Sequence, residues 1–147
     1  MKSILALVAF VFSSFLFGQE IKWLTLDEAT KEIKAHPTKP VLVNIYTTWC
    51  GFCKRLDKET FADAKVADYV NKNYIAIKFD AETKEMVKFN GINYTYIAAA
   101  KVNYFAYAIT NGQLSYPATV LMDGNGEMSK LVLGFRSVND FMTDIKI

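Results

Sequence analysis

Between Val41 and Tyr46 the chain reads Val-Leu-Val-Asn-Ile-Tyr, and it then passes through Trp49 into Cys50, with Cys53 two intervening residues further on. A run so apolar and β-rich suits a strand buried on both faces. Past Cys50 the period changes, with Phe52, Leu56, Phe61, Val66, Tyr69 and Val70 recurring at near-helical spacings. Two cysteines therefore stand where a buried strand hands over to a helix. A strand covered on both faces requires packed elements on each side of its sheet, so this junction limits the fold more than any other feature.

The flanking segments extend the pattern. Thr25 and Glu28 have capping-box spacing and predict a helix that ends near His36, after which Pro37 and Pro40 punctuate the chain. Tyr74 to Phe79 reads as a second strand ending at Asp80, which makes a β-α-β unit with parallel strands. A helix is expected over Glu82 to Phe89, then an Asn90-Gly91 turn and a Tyr- and Ala-rich segment from Tyr94 to Ile109 with a helical tail. Ala118 to Met122 and Met128 to Leu133 flank Asp123-Gly124-Asn125-Gly126, a strong hairpin signal, and Ser137 with Asp140 caps a last helix carrying Phe141 and Ile145. The predicted product is an α/β sandwich whose mixed sheet is parallel at first and antiparallel at its final hairpin.

Composition supports one compact domain: of 147 residues 52% are hydrophobic, and there are only 7 Gly and 3 Pro. The net charge of +2 is spread without a basic tail, so neither charge nor patterning points to nucleic acid. The first 18 residues are set apart. Lys2 precedes an apolar run from Ile4 to Phe17, about 14 residues where crossing a bilayer needs roughly 20, and Gly18 follows. This layout predicts a signal peptide over 1–18 and a mature domain over 19–147, periplasmic or secreted, with no membrane association after cleavage. Oxidising compartments favour disulfides, but a pair so close in sequence closes too short a loop to serve as an effective staple. A redox role explains the spacing better.

At a helix start, unpaired backbone N–H groups stabilise a thiolate, so Cys50 is expected to be the exposed nucleophile. Cys53, nearly one turn further, is expected to lie deeper and to resolve the mixed disulfide that Cys50 forms with a partner. Other uses of the pair are less well supported. One Cys-x-x-Cys and the distant His36 do not complete a zinc site, and Lys54 stands where covalent haem attachment wants histidine, so neither a metal nor another cofactor is assigned. Copper(I) on two thiolates, as in a carrier, or a client-holding chaperone without turnover is the competing class. Trp49 is read as part of the site wall, Phe52 as either an apolar partner contact or packing, and His36 as a solvated helix end. Asp57 and Glu59 are expected to be exposed helix-surface carboxylates.

Through Trp49-Cys50-Gly51-Phe52-Cys53-Lys54 and through Tyr116-Pro117 ahead of the last hairpin, the chain resembles the thioredoxin superfamily. The stretch from Cys53 through Thr60, Phe61, Val66 and Phe79-Asp80 is especially similar to its exported branch, which includes the C-terminal domains of bacterial transmembrane thiol-reductant carriers. The resemblance implies a thioredoxin-like three-layer α/β/α sandwich and a monomeric thiol–disulfide oxidoreductase acting with protein thiol or disulfide clients and an upstream redox partner. It implies catalytic Cys50 and Cys53, with Trp49, Gly51, Phe52, Tyr116 and Pro117 contacting substrate. Pro117 would be the cis-proline, and the backbone of Tyr116 would pair with an extended client segment. Four departures accompany it, one being Tyr116, a bulky aromatic where the client backbone would approach and where substrate preference could lie. Asn44 stands where thioredoxin has a buried Asp, and an inserted, helical segment separates Asp80 from the cis-proline position. Gly51-Phe52 also lacks the His found between the cysteines of strongly oxidising relatives, which implies a reductant or an isomerase.

Overall fold

The computed structural model describes residues 19–147, so the signal segment expected over 1–18 lies outside the described residues. Helix α1 spans Leu26–Ala35 and starts at the expected box: the Thr25 hydroxyl accepts the Glu28 N–H at 3.3 Å, while the Glu28 carboxylate accepts the Thr25 N–H at 2.9 Å. Strand β1 (Val41–Tyr46) is buried along nearly all its length. Helix α2 (Gly51–Leu56) runs directly into one π-helical turn, Asp57–Phe61, before α3 (Ala64–Asn73) starts afresh on an Asp63 cap. Strand β2 (Ile75–Asp80) then returns parallel to β1, placing Val41 opposite Ile75 and Tyr46 opposite Asp80.

The segment after β2 departs from expectation. In place of a helix over Glu82 to Phe89 there is a turn and a small hairpin, β3 (Val87–Phe89) with β4 (Ile92–Tyr94). Local chemistry explains this. Asn90 and Gly91 both hold positive φ, 50° and 81°, the geometry of a two-residue hairpin turn. Asn103 Nδ2 also donates to the carbonyls of Thr83 and Glu85, at 3.3 and 3.0 Å, and holds that stretch away from helical pairing. Two further short strands, β5 (Tyr96–Ile97) and β6 (Val102–Asn103), lead to α4 (Tyr104–Ile109). The insertion is therefore two small ladders followed by one short helix, which forms at the expected tail ending at Ile109, while the helix expected over Glu82 to Phe89 is absent.

Strands β7 (Ala118–Met122) and β8 (Met128–Leu133) form the expected hairpin, and α5 (Val138–Asp144) closes the chain on its Ser137 cap. The sheet order is β2-β1-β7-β8, with only β1 and β2 parallel. Alternation along β1 divides the core between two faces. Val41, Val43 and Ile45 pack with α1, α4 and the insertion through Leu26, Ile33 and Phe105, while Leu42 packs with Leu56, Phe61, Val70 and Phe141 from the opposite layer. Phe61 meets Phe141 edge-on at 5.3 Å, which ties the π-turn to α5. Burying a side chain of this size stabilises the fold by roughly 1.5–3 kcal/mol. The architecture is a three-layer α/β/α sandwich with the loop from β1 to α2 at one end of its sheet.

Candidate active site

That loop carries the cysteines. Cys50 occupies the N-cap of α2 with extended backbone, and its Sγ accepts the Cys53 N–H at 3.1 Å. The two side chains are joined as a disulfide with their Cα atoms 5.3 Å apart. One cap position thus provides both a backbone donor aimed at the first sulfur and a second sulfur within bonding reach of it. Cys50 is not exposed as expected: it is only 4% accessible and Cys53 3%. Folding back to accept the Cys53 N–H and to bond Cys53 turns the first sulfur inward. Exposure passes to its neighbours, Trp49 at 64% and Phe52 at 62%. Gly51 is also exposed, and a Cβ there would meet nothing within 4 Å, so no local crowding demands glycine.

Register brings the second half of the site to the same end. Ala118 lies opposite Ile45, so Tyr116 and Pro117 enter the sheet beside the end of β1 that leads to Cys50. The Tyr116–Pro117 peptide bond is cis, and the buried Pro117 accepts the Gly134 N–H on its carbonyl at 2.7 Å. The Tyr116 ring meets the Trp49 ring edge-on at 6.2 Å. Burial, helped by the nearby carboxylates of Glu82 and Asp80, pushes the Tyr116 phenol up, so it stays a neutral donor. Trp49 and Tyr116 form one aromatic wall, and Phe52 projects from the helix start.

Behind the cysteines, Asn44 is buried and its Nδ2 has no hydrogen-bond partner among the described residues. It lies opposite Lys78 on one side and Thr119 on the other. Lys78 pairs with Asp57, and its Nζ stands over the rings of Tyr46, Trp23 and Phe61 at 5.3, 5.6 and 5.9 Å. Asp57 and Glu59, both expected on the exposed helix surface, part company in the structure. Glu59 pairs with Arg55 on the surface at 3.0 Å, whereas Asp57 reaches across to β2 beside a cleft of about 510 Å³ also lined by Trp23 and Phe61. The Cys53 to Asp57 spacing of one helical turn was the available signal. Tyr46 is pushed up by burial and by Asp80 and Asp57. His36 ends α1 in solvent, 3.9 Å from Glu32.

A family model described as a thioredoxin-like domain matches residues 26–143. Among curated proteins, the thiol:disulfide interchange protein DsbD of Campylobacter jejuni is 25% identical over 122 residues, covering 82% of this chain but only 18% of that protein. The chain thus spans less than a fifth of that relative. Among solved structures, the oxidised C-terminal domain of Neisseria meningitidis DsbD superposes with a TM-score of 0.54 at 23% identity, covering 78% of this chain and 84% of the other. A thioredoxin from Thermus thermophilus gives 0.61 at 15% identity, with 84% and 83% covered. Both structural likenesses speak to the fold.

Proposed function

The chain belongs to the thioredoxin-like domain family and is, by that fold and its Cys-x-x-Cys pair, a thiol–disulfide oxidoreductase; we propose that it works outside the cytoplasm as a reductant or isomerase of protein disulfides. The observation that carries this reading is Cys50 at the cap of α2, its sulfur already receiving the Cys53 N–H. A donor placed there stabilises negative charge on sulfur, and the thiolate is the attacking form. In the reduced protein the Cys50 thiolate attacks one sulfur of a client disulfide, and the other client sulfur leaves as a thiolate and takes a proton from solvent. Cys53, deprotonated, then attacks Cys50 Sγ. The second client sulfur departs with the electron pair, two electrons have moved to the client, and the Cys50–Cys53 disulfide remains. An upstream dithiol reverses the sequence.

Trp49, Gly51, Phe52 and Tyr116 border the client in this reading, with the Tyr116-Pro117 backbone aligning an extended segment beside the sulfur. Export follows the leader-like layout of residues 1–18, cleaved to give a monomeric domain over 19–147 in the periplasm or secreted. The Gly51-Phe52 dipeptide supports a modestly reducing potential.

Client trapping tests the chemistry. Cys53→Ala is expected to accumulate Cys50-linked mixed disulfides with exported proteins and to lose insulin reduction, and a variant that traps nothing while the wild type fails to reduce insulin overturns the assignment. Equilibration with glutathione tests direction: a potential near those of the strongly oxidising enzymes would exclude the reductant role.

A further inference from the structure

Most buried polar groups in folded proteins are paired, so a buried amide N–H₂ without an acceptor among the described residues, on the strand that leads into the reacting sulfurs, calls for a reason. Alternation puts Asn44 on the same face of β1 as Leu42, and Leu42 packs in one cluster with Leu56 of α2. Cys53 precedes Leu56 by about one turn and shares its buried side of the helix. Asn44 is two residues nearer than Leu42 to the end of β1 that leads into the site, and Cys53 is one turn nearer than Leu56 to the start of α2. Strand and helix run in opposite senses through the connecting loop, which places Asn44 and Cys53 toward the same end of this layer. Disulfide sulfur is a weak acceptor, whereas a thiolate is a strong one.

We propose that Asn44 is a positioning residue for the resolving step: its Nδ2–H, without an acceptor while Cys50 and Cys53 are joined, donates to the Cys53 thiolate when the disulfide is open. An amide at this position cannot take the proton of Cys53, which goes to solvent; it stabilises the anion left behind. The bond that forms next is Cys53 Sγ to Cys50 Sγ, the bond that breaks is Cys50 Sγ to client sulfur, and the client leaves as a thiolate. Asn44 takes part by holding the attacking sulfur ionised and aimed. The charged or titratable groups on the elements packed about this end of the layer are Cys50 itself, Tyr46 on β1, and Lys78 and Asp80 on β2. Asp57 in the π-turn is bound to Lys78, and Lys54, Arg55 and Glu59 lie on the outer side of the helix, Arg55 with Glu59. The β7 residue opposite Asn44 is the uncharged Thr119.

This inference rests on Cys53 being the resolving thiol, and the two can fail separately. In a Cys50→Ser background, where Cys53 is the sole thiol, ultraviolet thiolate absorbance gives its ionisation midpoint. Asn44→Leu is expected to raise that midpoint by about one pH unit, roughly a tenfold loss of thiolate at a fixed lower pH. Asn44→Asp is expected to raise it as well, through repulsion between like charges. A second readout needs no substitution at Asn44: in the intact protein the Asn44 side-chain amide NMR signals are expected to move downfield on reduction above the midpoint and to return below it. A midpoint that stays in place or falls in Asn44→Leu, or amide signals indifferent to reduction, overturns the role of Asn44. If the wild type reduces no insulin, the reading of Cys53 itself fails instead.

Discussion

Trp49 and Phe52 are among the more exposed large side chains described, and they flank two cysteines that are almost fully covered. Large exposed aromatics beside a reacting sulfur offer a partner apolar contact area near the centre of the encounter, where hot-spot residues concentrate. In the proposed reading small disulfides need only reach Cys50, whereas folded clients would also seat against this wall. Phe52→Ala is therefore expected to raise KM for a protein disulfide about tenfold and to leave exchange with glutathione within about twofold, measured by parallel turnover assays. Equal losses on both substrates would move Phe52 from client contact to internal packing. With Cys50 as the proposed nucleophile, Cys50→Ser is expected to abolish turnover on either substrate, with an unchanged circular dichroism spectrum.

Element boundaries show which physical signals a sequence carries on its surface. The α1 cap, the β1 strand, the β7–β8 hairpin and the Ser137 cap all depend on residues within a few positions of one another, and each forms where predicted. Thr25→Ala is expected to cost about 1 kcal/mol in chemical denaturation. Its partner Glu28 is held below the usual carboxylate value of 4.5, first by the Thr25 backbone N–H. The Thr25 hydroxyl also donates to that carboxylate, at 3.0 Å, and this is the bond alanine removes; it is present above pH 4.5 and is lost as pH falls through the lowered value, so the gap between wild type and Thr25→Ala is expected to narrow in acid. The segment over 82–89 was legible only in part. Its helical composition competes with an Asn90-Gly91 turn and with Asn103, whose amide comes from a distant position and holds the Thr83 and Glu85 carbonyls. The Asp57–Lys78 pair and the covering of Cys50 were equally hidden, since both arise from strand register and side-chain direction rather than spacing.

At the scale of the molecule, two cores lie on opposite faces of one sheet, and both can be probed. Phe105 and Phe141 are each fully buried, one per face, and truncating either to alanine is expected to cost about 3–5 kcal/mol by urea denaturation. Tyr74 links the far ends of the second layer by donating to the Ile145 carbonyl at 2.6 Å, and burial pushes its phenol up to about 12. An unfolded tyrosine ionises near 10, so this contribution is complete below pH 10 and disappears as pH rises through the folded value. Tyr74→Phe is expected to lower stability by about 1 kcal/mol at neutral pH and to flatten the alkaline decline. The segment between Ala81 and Tyr116 has a further consequence. It departs where the Ala81 N–H meets the Tyr46 carbonyl, is pinned back there by the Asn103 N–H to the Ala81 carbonyl, and rejoins at the ring that faces Trp49. Its ends thus meet the last residue of β1 and the tryptophan beside Cys50, and no strand of the four-stranded sheet is interrupted between them. Phe89, Val102 and Phe105 within it belong to the core, so a loop grafted between these anchors would have to keep those three side chains and could vary only the outward-facing residues, such as Tyr104 and Tyr107.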